Sequence, residues 1–149
     1  MTTFASEHAH TGWDDYAGAQ LSFPCITALG MRHRWIKVEH FEHKERLDPE
    51  MARLGGLVAV NATANMDRLY PAKPRARVTI TTDRGQFKKK AMEAVGAREV
   101  PLDDKRLTNK FHDLVDPVFG KDRENKLPES LWVLDKVDNI HSLLNSTVR

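Results

Sequence analysis

Apolar positions recur at different periods in successive stretches of this chain, and the changes of period mark its elements. From Asp15 to Met31 nearly every side of a helix would be apolar, through Tyr16, Ala17, Ala19, Leu21, Phe23, Ile26, Ala28 and Leu29. A helix apolar all round is a buried one. Pro24 breaks the stretch unless it occupies a first turn, where its missing N–H costs nothing. With Ser22 as N-cap, the pattern predicts a short helix before Ser22 and a second running to about His33. The polar stretch VEHFEHKER (38–46) reads as a short helix or loop. Asp48-Pro49-Glu50 starts the next helix, with Asp48 as cap and Pro49 at the first position, and Gly55-Gly56 ends it. LVAVN (57–61) is β-branched enough for a strand. Leu69 to Pro74 reads as extended linker, because a residue before proline avoids helical angles.

The period then falls to two. Val78 and Ile80 share one face and Thr79 and Thr81 the other, Asp83-Arg84-Gly85 forms a three-residue hairpin loop with glycine at the left-handed position, and Gln86 to Val95 returns. After Pro101, Asp103 caps a helix with its stripe at Leu107, Phe111, Leu114 and Val115. Residues 117–128 read as a charged loop ended by Pro128. Leu131, Leu134, Val137, Ile140 and Leu144 resume helical spacing, with a break near Asp138. The expected architecture is α+β. It has a sheet of about three or four strands, containing a hairpin at about 77–95, packed against helices and followed by C-terminal helices. Residues 1–14 read as a flexible arm, and 15–149 as a single domain.

Composition changes this picture little. The 149 residues are 40% hydrophobic and 30% charged, with a net charge of +2, too small an excess to argue for nucleic acid or membrane. Cys25 is the sole cysteine, so no intrachain disulfide forms, which suits a reducing cytoplasm. There is no apolar run of about 18 residues and no secretory leader pattern at the N-terminus. The expectation is a cytoplasmic protein.

Several short stretches occur in the order and spacing of one family. Ala19-Gln20-Leu21-Ser22-Phe23-Pro24 with Ala28-Leu29 is similar to an A-x-F-S-L-P-Y…A-x-A segment. Asp48-Pro49 through Leu69-Tyr70-Pro71 is similar to a helix–strand stretch leading to Y-P-A. Asp83-x-Gly85, Pro101-Leu102 and Lys110-Phe111 match a D-G turn and a P-L-S…K-F signature, and Asp138-Asn139-Ile140 an L…D-I…L tail. The chain thus resembles, over roughly residues 15–145, the C-terminal part of the MmgE/PrpD family, which includes 2-methylcitrate dehydratase, cis-aconitate decarboxylase and iminodisuccinate epimerase. The resemblance implies a smaller α+β domain that covers a helical catalytic domain. It also implies cofactor-free proton abstraction next to a carboxylate in a di- or tricarboxylic acid, followed by loss of water or carbon dioxide, or by inversion.

The family's K-x-Y-P-x-C-x-x-x-H segment, which brings lysine and histidine to the site, is not matched. Pro24-Cys25 echoes it, but no Lys-x-Tyr precedes and His33 lies too far downstream. Catalytic and substrate-binding residues therefore stay unassigned, and the chain alone is expected to be inactive. It reads as a lid half, from a split or truncated gene, whose partner is a helical MmgE/PrpD-type subunit or a second copy of itself. The alternative is a non-catalytic self-associating or anion-binding module, or a gene remnant. Lyase and isomerase activity both stay open.

Some residues invite other chemistry. His40 and His43, interleaved with Glu39, Glu42 and Glu45, have ligand-like spacing but no third ligand pattern, so a solvated polar helix is expected and no metal. His8 and His10 lie in the expected arm. Lys88-Lys89-Lys90 with Arg75, Arg77 and Arg84 makes a basic hairpin. Phe87 alone interleaves with it, which argues against nucleic acid and for a solvated or edge-protecting charge run. Given the resemblance, a basic surface facing a small-carboxylate pocket stays open. Cys25 reads as an inert core thiol, and Trp13, Trp35 and Trp132 as packing anchors. The Leu131–Leu144 stripe, deprived of a helical domain, would be an apolar patch seeking a partner.

Overall fold

In the computed structural model, residues 3–69, 72, 75–120 and 126–147 are described. They are α+β and divide into two compact units, Met1–Ala94 and Val95–Arg149.

In the first unit, side-chain caps set where the helices begin. Asp15 accepts from the Gly18 N–H at the start of α2 (Tyr16–Gln20), which follows α1 (Thr3–Glu7). Ser22 caps α3 (Phe23–His33) by accepting the Cys25 N–H, with Pro24 in the first turn as expected. Its hydroxyl also donates to the His10 carbonyl at 2.6 Å, so one buried side chain serves both a helix and the strand of chain before it. α3 ends at Arg34, held at a left-handed φ of 62°. The stretch VEHFEHKER becomes a 3₁₀ turn (Val38–Phe41) and the short α4 (His43–Arg46). Asp48 then caps α5 (Pro49–Gly56) as expected.

The core of this unit lies between α3 and α5. Cys25, Ala28 and Leu29, at i, i+3 and i+4, form the inward stripe of α3 and meet Met51, Phe41, Ala19 and Trp13. The expectation of a helix buried on every side is corrected, since Leu21 and Met31 are exposed and one stripe alone is covered. Residues 3–13, expected as an arm, contribute Trp13 to this core. The Trp13 indole Nε1–H donates to the Arg46 carbonyl (2.9 Å), and Arg46 Nη1 donates back to the Trp13 carbonyl (2.7 Å). The His8 ring makes tilted contacts with the rings of Phe4 and Phe23.

LVAVN does not form the expected strand. Residues 58–63 have no regular structure and lead into α6 (Ala64–Asp67). A strand requires a partner ladder, and β-branched composition supplies none. The expected linker 69–74 lies largely outside the described residues. The sheet, expected to have three or four strands, has two among the described residues: β1 (Ala76–Thr82) and β2 (Gly85–Ala91), antiparallel, with Ile80 opposite Phe87 and Arg77 opposite Lys90. Gly85 carries a positive φ (124°), but the expected three-residue loop is corrected to two residues, Asp83 and Arg84, because Gly85 already pairs with Thr82 as the first residue of β2. The return strand stops at Ala91 rather than running to Val95.

In the second unit, Asp103 caps α7 by accepting the Arg106 N–H, again as expected. α7 spans Asp104–Phe119, so the expected loop from 117 is corrected: the helix runs through Pro117 to Gly120. Proline is tolerated there because the helix ends within a turn, and little of its hydrogen-bond ladder is lost. Pro128, expected to end a loop, instead lies in the first turn of α8 (Lys126–Trp132). A 3₁₀ turn (Leu134–Lys136) and α9 (His141–Ser146) follow, with the expected break around Asp138.

Candidate functional site

Because side chains alternate along a strand, the β1–β2 register assigns every hairpin residue to a face. Ala76, Val78 and Ile80 share one face with Phe87, Lys89 and Ala91. Arg77, Thr79 and Thr81 share the other with Gln86, Lys88 and Lys90. The basic run is therefore split. Lys89 points away from its neighbours, and Arg84 stands in the turn.

At the base of the hairpin lies an open pocket of about 340 Å³, lined by Arg75, Arg77 and Lys90, by Ala76 and Ala91, and by Thr63, Asn65 and Met66 among its other walls. Among the described residues no aspartate or glutamate lines it. The Arg75 Nε is buried without a hydrogen-bond acceptor. The Asn65 carbonyl oxygen accepts from Arg68 Nη2 (2.7 Å), which leaves its amide N–H groups as donors. Sequence reasoning had picked out the basic hairpin. It missed Thr63 and Asn65, since nothing local links them to residues so far along the chain.

The second unit presents an open apolar groove of about 370 Å³ between α7 and α8, walled by Leu107, Phe111, Leu114, Leu131 and Trp132. Leu107, Phe111 and Leu114 of the stripe predicted from spacing form one wall of it, while Val115 does not line it. Trp132 and Trp35, expected as packing anchors, are 53% and 61% exposed, so of the tryptophans Trp13 alone is buried.

The remaining reactive side chains serve the fold. His33 Nε2 meets Glu45 Oε1 at 2.5 Å, and Arg32 ties the same Glu45 (3.3 Å) and Asp48 (2.9 Å), joining α3 to the starts of α4 and α5. The His40 ring stacks on His33 at 3.9 Å, and its Nδ1 accepts the Lys37 N–H (3.1 Å), so that nitrogen is unprotonated. Burial, and then the neighbouring His33, lower the His40 pKa from its ordinary value. His43 is exposed at the head of α4, apart from this pair. Among the described residues no three His, Cys, Asp or Glu side chains stand together as a metal set. Burial pushes the Cys25 thiol up to about 11, with Arg46 pulling the other way, so the thiolate nucleophile is scarce at neutral pH. His112 pairs with Asp116 at 3.1 Å on α7.

Fold and surfaces together define an α+β domain whose histidines and cysteine are largely committed to its own structure, and whose open features include a basic pocket and an apolar groove. The chain belongs to the MmgE/PrpD family: the family model of the MmgE/PrpD C-terminal domain matches residues 1–136. The match takes in residues 1–14, which the resemblance read from motifs had left out, and this accords with the buried place of Trp13. No curated protein matches the chain. No helix among the described residues is long and apolar enough to cross a membrane.

Proposed function

We propose that this chain is the lid domain of an MmgE/PrpD-type lyase or isomerase acting on di- or tricarboxylic acids, completed by a helical catalytic half. The observation that carries the reading is the open groove between α7 and α8, where Leu107, Phe111, Leu114, Leu131 and Trp132 leave an apolar surface that a packed helix would cover. Family membership supplies the kind of partner.

General acid–base catalysis needs a group within hydrogen-bond reach of the substrate. His33 and His112 are held by carboxylates, and the Cys25 thiol is buried and protonated. On this reading the base that removes the proton next to the substrate carboxylate comes from the helical half, and this domain closes the site and excludes water. A cytoplasmic setting belongs to the same proposal, in keeping with a lone buried thiol.

The test is capture from native lysate by the immobilised chain, with bound proteins identified by mass, run beside Leu114→Glu. The reading expects a mostly helical MmgE/PrpD-type partner in stoichiometric amount, lost with Leu114→Glu. Recovery of the chain alone would instead support a self-associating module.

A further inference from the structure

We infer that the base of the β1–β2 hairpin binds a compact multivalent oxyanion, a phosphate or a polycarboxylate, in the pocket of Arg75, Arg77 and Lys90 with Thr63 and Asn65. Three independent observations converge on it. Arg77 and Lys90 are direct cross-strand partners, an arrangement in which like charges repel. Among the described residues, neither they nor Arg75 has a carboxylate partner, and no acidic side chain lines the pocket. An anion is what this arrangement lacks.

The second observation is the Arg75 Nε. It is a guanidinium donor withdrawn from solvent without an acceptor. Buried polar groups are overwhelmingly satisfied, so a donor left without a partner at a pocket wall marks a missing ligand atom. The third is the neutral donors. Thr63 stands before α6, yet its side chain makes no capping bond, so its hydroxyl remains available. Arg68 holds the Asn65 carbonyl oxygen, which leaves the amide N–H groups to donate.

The ligand class follows from these groups. Two or three cations with two neutral donors suit an anion of charge −2 or more with several oxygens, and guanidinium binds carboxylate and phosphate alike in bidentate fashion. Met66, Leu69 and Met92 give the pocket an apolar wall, which strengthens charge-assisted contacts by lowering the local dielectric. The volume, about 340 Å³, lies at the small end of ligand pockets and suits a compact ligand. Lys89 is not among the residues that line the pocket. Binding here requires neither the helical half nor catalysis, so this inference stands or falls separately from the proposed function.

The experiment is titration calorimetry of the full chain with citrate and, separately, with inorganic phosphate, at constant ionic strength set by chloride. Saturable binding of either is expected. Citrate alone would indicate a carboxylate ligand, phosphate alone a phosphoryl one. Arg75→Met, Arg77→Gln and Lys90→Gln should each weaken binding about tenfold, the loss of one charge-assisted hydrogen bond, while Lys89→Gln leaves it unchanged. Backbone amide shifts should centre on Thr63, Asn65 and Arg75 in the unsubstituted chain, a readout that depends on no variant. Absence of saturable binding to both anions would overturn the inference. So would equal weakening by Lys89→Gln, or shifts spread along Lys88 to Lys90, because either would reduce the site to diffuse charge.

Discussion

Arg46 and Trp13 lock the first unit at the level of single side chains. Each donates to the other's backbone carbonyl, and Arg46 Nε donates to the Phe41 carbonyl as well (2.8 Å), so a buried guanidinium is held by backbone oxygens rather than by a carboxylate. Gly55 makes room for this arrangement, since a Cβ there would run into the Trp13 ring. Gly55→Ala should therefore destabilise the fold by about 2 kcal/mol, the usual cost of overpacking, read from urea unfolding. An unchanged midpoint would show that Trp13 shifts freely. Cys25 gives a second prediction. Its folded-state pKa is raised from 9.0 to about 11 by burial. The unfolded chain releases this proton first as pH rises, so the contribution to stability is complete below pH 9 and is lost between about 9 and 11. Unfolding midpoints measured across that window should fall, and the thiol should react with a thiol reagent only on unfolding. The caps Ser22, Asp48 and Asp103 were legible in the sequence because capping is local chemistry. The Trp13–Arg46 exchange was not, because it joins residues far apart in the chain.

Elements were legible where a local device defines both of their ends. α5, between an Asp-Pro start and a Gly-Gly end, came out as its sequence predicts, and the hairpin followed from alternation and Gly85. LVAVN failed for the opposite reason, since no neighbouring strand pairs with it, and Pro117 misled because a helix tolerates proline near its end. The 3₁₀ turn Val38–Phe41 depends on His40, whose neutral Nδ1 accepts the Lys37 N–H. Its pKa is lowered, first by burial and then by His33, so the unfolded chain takes up the proton before the folded one. The stability it contributes is present above about pH 6.5 and lost as pH falls below it. Amide exchange at Lys37 to Glu42 should speed up on acidification in the unsubstituted chain. His40→Gln should remove that pH dependence; acceleration that persists in the variant would assign it to other groups.

At the scale of the whole molecule, the chain has a family and a fold, and in the proposed function a helical half supplies the catalytic base. The family match covers the first compact unit and continues into the second as far as residue 136. What the sequence showed of the functional surface was the α7 stripe and the basic hairpin. The grouping of Thr63 and Asn65 with Arg75, and the meeting of α7 with α8 around Trp132, required the folded chain. The central claim is that catalysis arises only when this domain covers a helical half. The most direct test is turnover of methylcitrate-like and aconitate-like acids by the purified chain alone and by the chain together with its captured helical partner. The account predicts no turnover by the chain alone and turnover by the pair, abolished when Leu114→Glu prevents assembly. Turnover by the chain alone, or an assembled pair that leaves every such acid unchanged, would contradict it.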